Sequence, residues 1–177
     1  MHDAPYTVPV VSIVGKGDSG KTTFLEKLIR ELTSRGWRVA TVKHHIHDYD
    51  IDTPGKDSWR HGRAGAVTTM VSSPEKFAMI TERDCEMTLL EIARVAADSG
   101  CDVLLTEGFK REGVNRIEVS RVSRSDETIC GPGDALAFVS DNQALRCGDT
   151  PVFGLDDAPG VAALIEERFL GGARRGD

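Results

Sequence analysis

Eight consecutive residues, Gly15-Lys16-Gly17-Asp18-Ser19-Gly20-Lys21-Thr22, point most directly to chemistry. They fit G-x-x-x-x-G-K-[ST], a pattern whose backbone N–H groups cradle a polyphosphate. Within it Lys21 is placed to reach the β- and γ-phosphates, and the Thr22 hydroxyl to hold Mg²⁺. A glycine-rich turn arising by chance would lack the right neighbours. Here Val10, Val11, Ile13 and Val14 precede the loop as a short apolar strand, and Phe24, Leu25, Leu28, Ile29 and Leu32 follow at helical spacing. Strand, turn and helix in that order aim amides and a helix N-terminus at one point, which attracts an anion. Lys16 has two readings. A lysine five residues before Lys21 occurs in dimeric ATPases that insert it into the partner's nucleotide site, although Asp18 stands where that motif expects glycine. Otherwise Lys16 only adds positive charge at the loop mouth.

A second concentration of chemistry lies in 44–58, where His44, His45 and His47 join Asp48, Asp50, Asp52 and Asp57. Such a loop suits a switch whose carboxylates hold Mg²⁺ through water and position an attacking water. It also suits Ni or Zn, since imidazole and carboxylate ligate both. A plain solvated loop is the third reading. Glu107 follows Val103-Leu104-Leu105-Thr106, where nucleotide hydrolases place the acid that orients Mg²⁺ and its waters. Gly108 would let its N–H approach a γ-phosphate unhindered, and Lys110 and Arg111 could pair with phosphates or stay solvated. Guanine readers usually carry N-K-x-D, which this chain lacks. Ser140-Asp141-Asn142 is the nearest equivalent, which makes Asp141 the candidate base-contacting residue, unless it merely starts a turn.

These groups need elements to hold them. The spacing predicts helix over 21–34, with Gly36 as a left-handed cap, strand over 38–43, loop over 44–55 and a short helix from Asp57 or Ser58 through 63. Strands over 66–72 and 76–81 flank a Ser72-Ser73-Pro74-Glu75 turn as a hairpin. Helix over 87–99 closes at Gly100, and strands are expected over 102–106, 116–122, 135–140 and 152–154. Helix over 161–170 and a frayed tail over 171–177 complete the chain. Alternating strands and helices imply a three-layer α/β fold with a mostly parallel sheet and an antiparallel hairpin. The loops at 15–22, 44–57 and 107–110 should meet at the carboxyl ends of the strands.

The bulk numbers narrow the function. At 177 residues without a repeat or linker, 1–177 reads as one domain. A net charge of −6 argues against a general nucleic-acid binder. The start, Met1-His2-Asp3-Ala4-Pro5, resembles no signal peptide, and no apolar run approaches a membrane span. Cys85, Cys101, Cys130 and Cys147 are scattered without a C-x-x-C pair, so they read as reduced thiols in a cytoplasmic protein.

Four segments together resemble the molybdopterin-guanine dinucleotide biosynthesis protein B (MobB) family. They are Ser19-Gly20-Lys21-Thr22-Thr23, the run Lys43-His44-x-x-His47-Asp48-x-Asp50-x-Asp52-x-Pro54-Gly55-Lys56-Asp57-Ser58, then Ala64-Gly65-Ala66, and Glu107-Gly108-Phe109-Lys110. The likeness covers about Val10 to Lys110, and the second run makes it specific. It implies a P-loop NTPase fold and a GTP-binding accessory protein of molybdenum cofactor biosynthesis with weak, Mg²⁺-dependent GTPase activity. It further implies that 15–23 is the phosphate loop and that the 44–58 run is a surface for the pterin or for catalytic metal; the residues themselves make Lys21, Asp50, Asp52 and Glu107 the catalytic candidates. The implied partner is the guanylyltransferase MobA, and the implied assembly is a homodimer formed through sheet contacts. Two other functions compete: a metallochaperone GTPase carrying Ni or Zn on His44, His45 and His47, and a small-molecule kinase or ligase using the same loop.

Overall fold

The computed structural model describes residues 7–45, 51–109, 112–125, 127–131, 133–142 and 144–171. Its elements in chain order are β1 (Val10–Val14), α1 (Lys21–Ser34), β2 (Val39–Lys43), α2 (Asp57–Arg63), β3 (Thr68–Ser72), β4 (Phe77–Thr81), α3 (Leu89–Asp98), β5 (Val103–Glu107), β6 (Arg116–Ser120), β7 (Ala137–Ser140), β8 (Val152–Phe153) and α4 (Ala158–Ile165). A π-helical turn, Glu166–Leu170, ends the described chain. By contacts the chain separates into two compact units, Met1–His44 with Thr88–Asp177, and His45–Met87.

The first unit is a six-stranded sheet in the order β2-β5-β1-β6-β7-β8, with every pairing parallel. β1 and β5 are buried along their whole length, which is why both read as unbroken apolar runs rather than alternating ones. One face carries Val11, Ile13, Val103, Leu105, Ile117 and Val119 against Phe24, Leu28 and Leu32 of α1 and Val161, Ala162 and Ile165 of α4. The other face packs Val10 and Leu104 against Leu89, Ala93 and Ala96 of α3. The result is the three-layer arrangement expected from strands alternating with helices.

Several boundaries move by a few residues, each for a local reason. Glu107 is the last residue of β5 rather than the first beyond it, paired in register with Ile13 and Lys43. β6 stops at Ser120, because Arg121 opens a turn that receives the N–H groups of Arg124 and Ser125. α4 begins at Ala158, three residues earlier than the apolar spacing suggested, because the Asp157 carboxylate accepts the Gly160 N–H at 3.0 Å.

The second unit holds α2 and the β3–β4 hairpin, whose strands pair antiparallel from Thr68↔Thr81 to Ser72↔Phe77. The hairpin is a separate two-stranded sheet. No side chain of α2 is buried.

Candidate functional site

The order of the sheet reverses about β1, and the loop leaving that strand is the Gly15–Thr22 run, the position where open α/β sheets bind ligands. Gly15 is obligatory there. A β-carbon on it would stand 2.3 Å from the Val119 carbonyl oxygen and 2.8 Å from Ser19 Oγ. Gly20 is left-handed at φ +91° and opens α1, whose first turn has no side-chain cap and no acidic residue. Other helices of the same unit are closed locally: Thr88 and Glu91 form a capping box on α3, and Asp157 caps α4. The amides at the start of α1 are therefore left to the loop and to a ligand.

Lys21 is half-buried at the loop, and its Nζ donates to the Lys16 carbonyl at 2.7 Å. Thr22 is exposed, and its hydroxyl donates to Glu107 Oε1 at 2.8 Å. Lys43 Nζ stands 3.6 Å from the same oxygen. A hydroxyl and a carboxylate from α1 and β5 thus converge on one point, as the sequence suggested. They are a hard-oxygen donor set of the kind Mg²⁺ prefers. Gly108 follows at φ +102°, where a β-carbon would meet His44 Cβ at 3.1 Å. Its N–H donates to the Ile13 carbonyl at 3.3 Å, extending the ladder instead of opening toward the loop. Phe109 is held at φ +46° and buried, with its ring 4.7 Å from that of His44. His44 therefore buttresses the segment that carries Glu107.

The connection after β6 forms a wall along the phosphate loop that sequence reasoning missed. Lys16 Nζ donates to Ser125 Oγ at 2.5 Å and lies 3.7 Å from Glu127, so it is turned onto its own chain. Asp18, left-handed at φ +55°, pairs with Arg124 at 3.3 Å, and the Arg121 guanidinium lies over Gly20. Residues 16, 18 and 20 of the loop thus face 125, 124 and 121 in turn. The wall is anchored from below. Glu118, buried on β6, accepts the N–H groups of Ile129 and Cys130, both at 2.8 Å. Asp141, exposed at the end of β7, accepts the Val122 N–H at 2.8 Å through Oδ1, so it ties this turn down. Burial, and secondarily the Glu118 charge, pushes the Cys130 thiol up to about 11.

Thr23 is exposed on the first turn of α1. Asp52 belongs to the second unit, where its Oδ1 accepts the Thr53 N–H and the Ser58 hydroxyl. Asp50, His47, Asp48, Lys110 and Arg111 lie outside the described residues. Among the described residues no group of three or more His, Cys, Asp or Glu side chains is placed to hold a metal ion, so the Ni or Zn carrier gains no support.

Residues 10–141 match the family model described as "Molybdopterin guanine dinucleotide synthesis protein B". The chain is 40% identical over 159 residues to the molybdopterin-guanine dinucleotide biosynthesis adapter protein of Haemophilus influenzae, covering 90% of this chain and 88% of that protein. It is 34% identical over 164 residues to the Escherichia coli protein of the same description, covering 90% and 93%. The crystal structure of Bacillus subtilis MobB superposes with a TM-score of 0.72 at 25% identity, over 96% of this chain and 99% of that one. With the phosphate loop and the Thr22–Glu107 pair in place on such a fold, the chain belongs to the molybdopterin guanine dinucleotide synthesis protein B family.

Proposed function

We propose that this chain is a GTP-binding adapter in molybdopterin-guanine dinucleotide biosynthesis, serving the guanylyltransferase (MobA) that joins GMP to molybdopterin, with only weak GTPase activity. The adapter description of its relatives supports the pathway. The observation that carries the nucleotide reading is the 2.8 Å contact between Thr22 and Glu107 beside an uncapped α1. In this reading the loop amides and Lys21 bind the phosphates, and Thr22 and Glu107 hold Mg²⁺. Mg²⁺ at that place supplies neutralising charge for the β- and γ-phosphates. Gly108 reaches a γ-phosphate only by exchanging its bond to Ile13, which makes the end of β5 the segment that senses the third phosphate. Lys21, Asp50, Asp52 and Glu107 are the proposed catalytic residues. Asp141 is the proposed guanine contact, through the oxygen not taken by Val122. The protein acts in the cytoplasm as a homodimer. Among the described residues no helix is long and apolar enough to cross a membrane.

Calorimetry with Mg²⁺ tests this directly. GTP should bind more tightly than ATP, and chelating the metal should weaken it. Equal affinity for the two nucleotides would remove the guanine component, and no affinity for either would remove the reading.

A further inference from the structure

Arg121 is the first residue beyond β6, and its guanidinium lies against the turn that opens α1. A β-carbon on Gly20 would stand 2.9 Å from Nε, 3.2 Å from Nη2 and 3.5 Å from Cζ. The guanidinium thus fills the space any side chain at position 20 would need. Among the described residues that guanidinium makes no hydrogen bond or ion pair. The carboxylate that senses its charge, Asp156, is exposed and already held by Lys27 at 2.5 Å. A half-buried cation with no acceptor among the described residues, beside the positive end of an uncapped helix, favours a bound anion. Ser19 gives an independent sign. Among the described residues its buried hydroxyl has no partner, and it lines the same recess as Lys16, Arg121 and Arg124; of the two carboxylates there, Glu118 is taken up by the Ile129 and Cys130 N–H groups and Glu127 lies 3.7 Å from Lys16.

We propose that Arg121 binds the phosphate chain of the nucleotide held in the loop, supplying from the turn after β6 a second cation beside Lys21. The proposal rests on the nucleotide reading above and adds a residue to it. A guanidinium offers a planar fork of donors that matches phosphate oxygens bidentately. Its backbone is already fixed, because its carbonyl accepts the N–H groups of Arg124 at 2.9 Å and Ser125 at 3.1 Å, and the next residue is tied to Asp141. Little ordering is left to oppose binding.

Calorimetry on the full chain with Mg²⁺ and three probes (GTP, GDP and inorganic tripolyphosphate) tests it. Arg121→Gln should weaken all three by a similar factor, about tenfold or more, while the unfolding temperature of the unliganded protein stays unchanged. Binding to this variant should also depend less steeply on salt. Arg121→Lys should recover only part of the loss, because an ammonium lacks the fork. A variant that binds like the parent, in a protein where Lys21→Ala weakens binding at least about tenfold, would overturn the assignment and leave the nucleotide reading standing. A loss confined to GTP and GDP, with tripolyphosphate unaffected, would put Arg121 on the nucleoside and overturn it too. If the parent chain binds none of the three, the nucleotide reading itself falls.

Discussion

Lys21 is held by a backbone carbonyl at the loop mouth and takes no part in the packed core, so its replacement should act on the ligand and spare the fold. Lys21→Ala removes a charge-assisted phosphate contact of about 1.5–3 kcal/mol, and nucleotide affinity should fall at least about tenfold with no change in thermal unfolding. Unaltered affinity would mean that the ammonium points elsewhere in the complex. The cysteines give a second test at the same scale. Cys85 is exposed and Cys130 is buried, and the Cys130 thiol is pushed from about 9 up to about 11. An acid whose folded pKa is raised stays protonated longer, so its contribution to stability is complete below pH 9 and is lost as pH climbs toward 11. Alkylation of native protein at pH 8 should therefore modify Cys85 first and leave Cys130 intact until denaturant is added. Rapid labelling of Cys130 in the native state would show that the wall after β6 opens readily.

That wall depends on one buried carboxylate at the next scale up. Glu118 is 1% exposed and accepts two backbone N–H groups of the segment that ends the β6–β7 connection. Glu118→Gln keeps the shape but turns an amide NH₂ toward an N–H donor, leaving buried groups unpaired at about 1–3 kcal/mol. The expected signature is faster hydrogen exchange at Ile129 and Cys130, with exchange in β1 and β5 changing only as far as global stability falls. Protection unchanged at those two amides would remove Glu118 as the anchor. None of this arrangement was legible in the sequence, and the reason is distance along the chain. The Lys16–Ser125 bond spans 109 positions, and nothing around either residue marks it as the other's partner. β1, the loop and α1 were legible because each is specified by its own neighbours: unbroken apolar strand, obligatory glycine, helical spacing. Glu107 was legible for a different reason, since a fully buried strand that ends in an acid is a chemical anomaly. The start of α4 was misplaced because Asp157, a cap, outweighed the apolar period by which the helix was read.

At the scale of the whole molecule, the second unit exposes what a solitary chain would be expected to cover. Met70 pairs across the hairpin with Met79, and Phe77 with Ser72, so three large apolar side chains lie on one face of β3–β4. They are 60%, 56% and 65% exposed for Met70, Met79 and Phe77. A two-stranded sheet is marginal by itself, and a grouped apolar face of this kind marks an association surface more often than bare solvent contact. The homodimer proposed for this chain is accordingly expected to use this face. Light scattering should give the mass of two chains for the parent protein. Phe77→Glu combined with Met79→Glu should give the mass of one, because like charges on one face cannot be buried without partners at such a contact. Circular dichroism of the double variant should match that of the parent, since both positions are exposed and neither belongs to the packed clusters of the first unit. A variant that stays dimeric would move the interface away from the hairpin, and a monomeric parent would remove the dimer altogether.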